Sequence, residues 1–149
     1  MKVEFVNNTD HKIVAKEFDL LIGCVARELR LSPKTSVGIF FVESKEIKKL
    51  NRETRKINKI TDVLSFPMQE KNSKYEKDAD GDIALGDVVI CPDYALKNAI
   101  KMGRKAESEL IFLAVHGMLH LCGYDHDSDD DHIKMDKVAN KIINCFEKL

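Results

Sequence analysis

The chain has 149 residues, of which 44% are hydrophobic and 33% charged. This balance excludes intrinsic disorder and fits a single domain, residues 1–149, built around one core. Twenty-four basic and 25 acidic side chains leave a formal net charge of -1, so bulk charge does not announce a nucleic-acid binder and any electrostatic recognition must come from local patches. The N-terminus lacks the apolar core of a signal peptide, and no stretch approaches the roughly 18 uninterrupted apolar residues of a membrane span. The expectation is a cytoplasmic protein with no membrane partner. Cys24, Cys91, Cys122 and Cys145 are scattered without a C-x-x-C pair, which predicts four reduced, mostly buried thiols.

In chain order, residues 2–7 alternate polar and apolar and read as a strand. Apolar side chains at 18, 21, 22, 25, 26 and 29 predict a helix over 16–31, ended by Ser32-Pro33. Residues 35–42 (TSVGIFFV) are a buried strand. Ser44 reads as the N-cap of a mostly polar helix over about 44–53. VLSFP (63–67) is a short strand closed by Pro67. The polar stretch 69–81 is a loop. IALGDVVIC (83–91) is the strongest strand signal. Pro92-Asp93 then starts a helix that runs to about Met102 and breaks at Gly103. A helix over about 105–122 and a last one over about 129–147 complete the chain. Four strands and about five helices, not strictly alternating, predict an α+β domain with a mixed sheet.

The stretch HGMLHLCGYDH carries His116, His120 and His126. The first two are one helical turn apart on one face. Gly123 can end that helix in a left-handed turn and let the chain swing His126 back toward them. Three imidazoles with one vacant position are the usual protein share of a catalytic zinc, and the same donors suit nickel, copper and cobalt. Without a metal, a core would have to satisfy three polar rings, each costly if unpaired. Ligating histidines need an acceptor for the second ring N–H, and either Asp125 or Asp127 could orient a ring, or both could simply be solvated. His11 and His132 fall outside the pattern and are taken as surface residues. The spacing H-x-x-x-H-x-x-G-x-x-H resembles the zinc motif of metzincin proteases. There, a glutamate follows the first histidine and serves as general base. Here that residue is Gly117, so peptide hydrolysis is disfavoured.

Three segments in order, RKINKITDVLSFP (55–67), LGDVVIC (85–91) and HGMLHLCGYDH (116–126), resemble the YbeY-type endoribonucleases, the rRNA maturation factors. The resemblance spans just under half the chain. It implies a single-domain α+β fold with zinc held by His116, His120 and His126. It also implies hydrolytic cleavage of single-stranded RNA, a role in rRNA processing and ribosome quality control, and a ribosomal subunit or protein as partner. The family's functional arginine, six residues before the threonine of TDVLSFP, corresponds to Arg55. Arg55, His116 and His120 are thus the expected catalytic residues.

The residues suit that chemistry. A divalent metal and a guanidinium both stabilise the charge that spreads over phosphoryl oxygens during phosphodiester cleavage, and the planar arginine fork can hold two of those oxygens. The nucleophile is left open between a metal-activated water and the ribose 2′-hydroxyl. Lys45, Lys48, Lys49, Arg52, Arg55, Lys56 and Lys59 face only Glu46 and Glu53 in their segment, a basic face suited to an RNA backbone. Lys97, Lys101, Arg104 and Lys105 form a second basic cluster. Phe66 is assigned to the core, Tyr124 can stack on a base, and Asp87 is expected to bond a backbone turn. Ser65 lacks the elbow and paired base of a serine nucleophile. Two other readings share the metal ligands: a metallopeptidase, and a non-catalytic ribosome-assembly factor whose zinc is structural.

Overall fold

Apolar residues of both parities in IALGDVVI demand cover on both faces of a strand, and the structure supplies it. The computed structural model describes residues 1–71 and 73–149, with the backbone alone at residue 107. The elements are β1 (Lys2–Asn7), α1 (Ala15–Glu28), β2 (Thr35–Phe41), α2 (Ser44–Arg55), β3 (Val63–Pro67), β4 (Ile83–Ile90), α3 (Pro92–Lys101), α4 (Ala106–Leu121) and α5 (Asp129–Glu147). The sheet order is β1-β2-β4-β3. β1 and β4 both run parallel to β2, and β3 runs antiparallel to β4 at the edge. This is the mixed four-stranded α+β architecture expected from the pattern. Residue 72, inside the predicted loop, lies outside the described residues. Among the described residues no helix is long and apolar enough to cross a membrane.

Val88 and Ile90 of β4 join Ile39 and Phe41 of β2 in the main core, together with side chains of α1, α4 and α5. Phe5, Phe18 and Phe41 meet there with ring centres 5.3–5.5 Å apart, the offset spacing that aromatic pairs prefer. The alternate residue Val89 turns to the other face, where Val42, Ile47, Leu64 and Cys91 form a smaller cluster under α2. α2 and α4 therefore cover opposite faces of the sheet.

A register shift between Ser36 and Gly38 marks a bulge opposite Gly86. Gly86 has φ +128°, and a Cβ there would run into the Phe66 carbonyl oxygen. Asp87 leans over Gly38, where a side chain would collide with its carboxylate. It takes up that space rather than bonding a turn as expected.

Other differences are local. α1 stops at Glu28, three residues before the expected end, because Arg30 turns left-handed (φ 52°) and the Leu31 amide reaches back to Ala26 O at 2.9 Å. Glu43, not Ser44, is the N-cap of α2, and Ser44 Oγ lies 3.4 Å from Asp93 instead. Cys24 and Cys145 are paired as a disulfide between α1 and α5, which corrects the expectation of four free thiols. Their separation of 121 residues leaves no spacing signal, since only the packing of the two helices brings them together. Cys91 and Cys122 are free.

Helix and sheet approach closely at Gly117 in α4. A Cβ there would lie 2.5 and 3.0 Å from the two γ-carbons of Val88 and 3.3 Å from Ser65 Oγ. Gly23 in α1, by contrast, has nothing within 4 Å of such an atom. Gly117→Ala should therefore destabilise the fold by about 1–3 kcal/mol through overpacking, whereas Gly23→Ala should be neutral or stabilise by about 0.5–1 kcal/mol through helix propensity. Urea denaturation of both variants checks this, and equal midpoints would show that α4 can move off the sheet freely.

Candidate metal centre

Helical spacing sets His116 and His120 on one face of α4, and each ring is oriented by its own backbone. His116 Nδ1 lies 3.0 Å from Phe112 O, and His120 Nδ1 lies 2.9 Å from Tyr124 O. A carbonyl only accepts, so Nδ1 of each ring carries the proton and donates it, and Nε2 keeps a free lone pair. This is the tautomer a metal ligand needs. Phe112 lies against His116 with ring centres 4.1 Å apart. Burial lowers the pKa of His120, and the neighbouring histidines lower it further, which favours the neutral, ligating form.

The turn after α4 delivers the third histidine. The Tyr124 amide bonds Leu119 O at 3.0 Å and the Gly123 amide bonds His120 O at 3.1 Å, with Gly123 at φ +94°. These bonds form a Schellman cap, which needs a left-handed residue at that position. Tyr124 thus closes the helix with its amide and orients His120 with its carbonyl. The reversed chain brings the His126 ring to 5.3 Å from His120 and 6.3 Å from His116, centre to centre. Metal–nitrogen bonds of about 2.0–2.1 Å around a tetrahedral ion put ring centres roughly 5 Å apart. The His120–His126 separation matches that spacing, and the His116–His126 separation is about 1 Å wider. The histidine nitrogens do not all fall within 4.8 Å of one another.

Neither the Asp125 nor the Asp127 carboxylate bonds a histidine ring among the described residues. Asp125 pairs with Lys71, and Asp127 lies 3.7 Å from the same ammonium. Ser65 Oγ donates to Gly117 O at 3.3 Å, a packing bond rather than an activated nucleophile. A cleft of about 630 Å³ opens beside His120, with Gln69, Tyr75 and Tyr124 among its walls. The Tyr75 hydroxyl faces the Cys122 thiol, and burial with that neighbour pushes its pKa up to about 12.

Arg55 is the exposed last residue of α2, the helix that covers the opposite face of the sheet from α4, and its guanidinium makes no ion pair among the described residues. The edge strand β3 separates the two sites: Leu64 packs with Ile47 of α2, while Ser65 bonds α4. His132, taken as a surface residue, is exposed but stands 4.6 Å from His126, centre to centre, and 3.1 Å from Asp136. Sequence reasoning passed over this pair, although their spacing of four on a helix was a signal. A further cluster also went unread. Asp78, Asp80 and Asp82 bring carboxylate oxygens within 4.8 Å of one another. Asp78 Oδ1 accepts the amides of Asp80 and Asp82, both at 2.9 Å, which is how aspartate folds a tight turn.

The family described as Endoribonuclease YbeY matches residues 3–147. A protein from Clostridium beijerinckii named Endoribonuclease YbeY is 37% identical, over 94% of this chain and 95% of its own length. One of the same name from Limosilactobacillus reuteri is 36% identical over 98% of each chain, and one from Oceanobacillus iheyensis is 41% identical over 85% and 83%. The solution structure of TM1509 from Thermotoga maritima has the same fold, with a TM-score of 0.63 at 24% identity over 98% of this chain and 92% of that one. On sequence and fold together, this chain belongs to the YbeY endoribonuclease family.

Proposed function

We propose that this protein is a zinc-dependent endoribonuclease that cleaves single-stranded RNA and acts in the cytoplasm on ribosomal RNA, in processing and quality control, with a ribosomal subunit or protein as partner. One observation carries the metal reading: two imidazoles have Nδ1 tied to backbone carbonyls, so that their free Nε2 atoms can share an ion with His126. The relatives' shared name supports RNA as substrate. A divalent ion held by His116, His120 and His126 would supply Lewis-acid stabilisation of charge on a phosphoryl oxygen. Other ions that imidazole accepts would fit the same donors.

The chain's own residues would do the rest. The exposed basic face of α2 runs toward Arg55 and the edge strand β3. An RNA strand crossing that edge meets lysines and arginines on one side and the histidines on the other. Arg55 would then hold a phosphate by two parallel hydrogen bonds. Tyr124, half-buried at the cleft beside His120, offers a surface for base stacking. The metallopeptidase alternative has no support in the site. Position 117 is pressed against Val88 and Ser65, where a glutamate side chain has no room.

His120→Ala should lose most of its zinc and its cleavage of an unstructured RNA. Elemental analysis that finds full zinc in that variant would defeat the three-histidine site. Arg55→Glu should keep zinc and cut cleavage by at least about 10²-fold, the scale of losing one transition-state charge contact; unchanged kinetics would remove Arg55 from the reaction. Chelator should abolish cleavage while the far-ultraviolet circular dichroism stays native. Unfolding on metal removal would instead favour a structural zinc in an assembly factor.

A further inference from the structure

α5 brings two more donor side chains to the histidine centre. Met135 is fully buried in the main core and sets the rotation of the helix, so that the adjacent Asp136 lies toward α4. Asp136 Oδ1 is 3.8 Å from His116 Nε2, the nitrogen left free by the bond to Phe112. Two donors on one tetrahedral ion are roughly 3.3–3.4 Å apart when each bond is about 2.0–2.1 Å, so this separation is close to that of co-ligands. The other oxygen, Asp136 Oδ2, is 3.1 Å from His132 Nε2, one turn earlier on α5. The His132 ring in turn lies 4.6 Å from that of His126. Asp136 is thus restrained by His132, and His132 is placed against a ligand.

From this geometry we propose that Asp136 is a fourth protein donor to the metal, alongside His116, and that His132 is the positioning residue that aims its carboxylate. The proposal rests on the metal reading of His116, His120 and His126. A carboxylate oxygen is an ordinary donor to zinc alongside imidazole. Both side chains sit at the rim, His132 with 57% and Asp136 with 45% of the side chain exposed, so the carboxylate would be reachable by a phosphate group of the substrate. The centre would be closed at rest and opened by RNA. A contact between Asp136 and His116 that serves packing alone would show the same separation but leave no role for Asp136 once metal is bound.

The experiment measures zinc affinity by competition with a chromophoric chelator, and the visible spectrum of the cobalt(II)-substituted protein, for wild type, His120→Ala, Asp136→Asn, Asp136→Glu and His132→Ala. Circular dichroism confirms the fold of each. Asp136→Asn is expected to weaken zinc by about 10–100-fold and to shift the cobalt absorption bands. His132→Ala should weaken zinc less, and Asp136→Glu should retain most of the affinity. Zinc affinity and cobalt spectrum unchanged in Asp136→Asn, with zinc lost in His120→Ala, would overturn the fourth donor while leaving the histidine site intact. Failure of the wild type to bind zinc would overturn both.

Discussion

The close packing of α4 on the β3–β4 pair is the constraint on which the site depends. Gly117 allows it by leaving room for Val88 and for the Ser65 hydrogen bond. With the helix against the sheet at that point, the rotation of α4 is set. Ala114, Val115, Met118 and Leu119 turn into the core, and His116 and His120 turn toward the rim. The same glycine removes the general base of the peptidase motif. One residue therefore serves packing and keeps that glutamate from this position, because the space next to its Cα is filled by Val88 and Ser65.

The His116 and His120 rings are oriented by backbone carbonyls. Phe112 O lies within the hydrogen-bond ladder of α4, and Tyr124 O lies in the cap that closes it. Both acceptors are as rigid as the helix end itself. Nearby carboxylates are left for other duties: Asp125 and Asp127 face Lys71, and Asp136 faces His116 and His132. This division leaves the negative charge near the centre on side chains, while the tautomers of the two helical histidines depend on backbone groups.

Charge is distributed by element, even though the whole chain is near neutral. α2 presents lysines and arginines along an exposed face. The first turn of α5 holds Asp129, Asp130 and Asp131 behind the Ser128 cap, whose hydroxyl accepts the Asp131 amide at 3.1 Å. Acidic residues at a helix N-terminus are stabilised by the exposed amides. The edge strand β3 divides the basic α2 face from the histidine centre.

Periodicity and turn chemistry were sufficient to read all nine elements from the sequence, with ends displaced by a few residues where a left-handed residue or a cap intervened, as at Arg30 and Glu43. The three-histidine motif was also legible, because its spacing is local: one helical turn, then a glycine turn. What stayed hidden was the product of packing between distant segments. The pairing of Cys24 with Cys145, the role of Gly117 against Val88, and the approach of His132 and Asp136 to the centre each join residues from separate elements. The position of Arg55 is a case of the same kind, since only the alternation of sheet faces decides that α2 and α4 lie on opposite sides. Local pattern determines which side chains one element presents together, and the register and crossing of elements decide which of those faces meet.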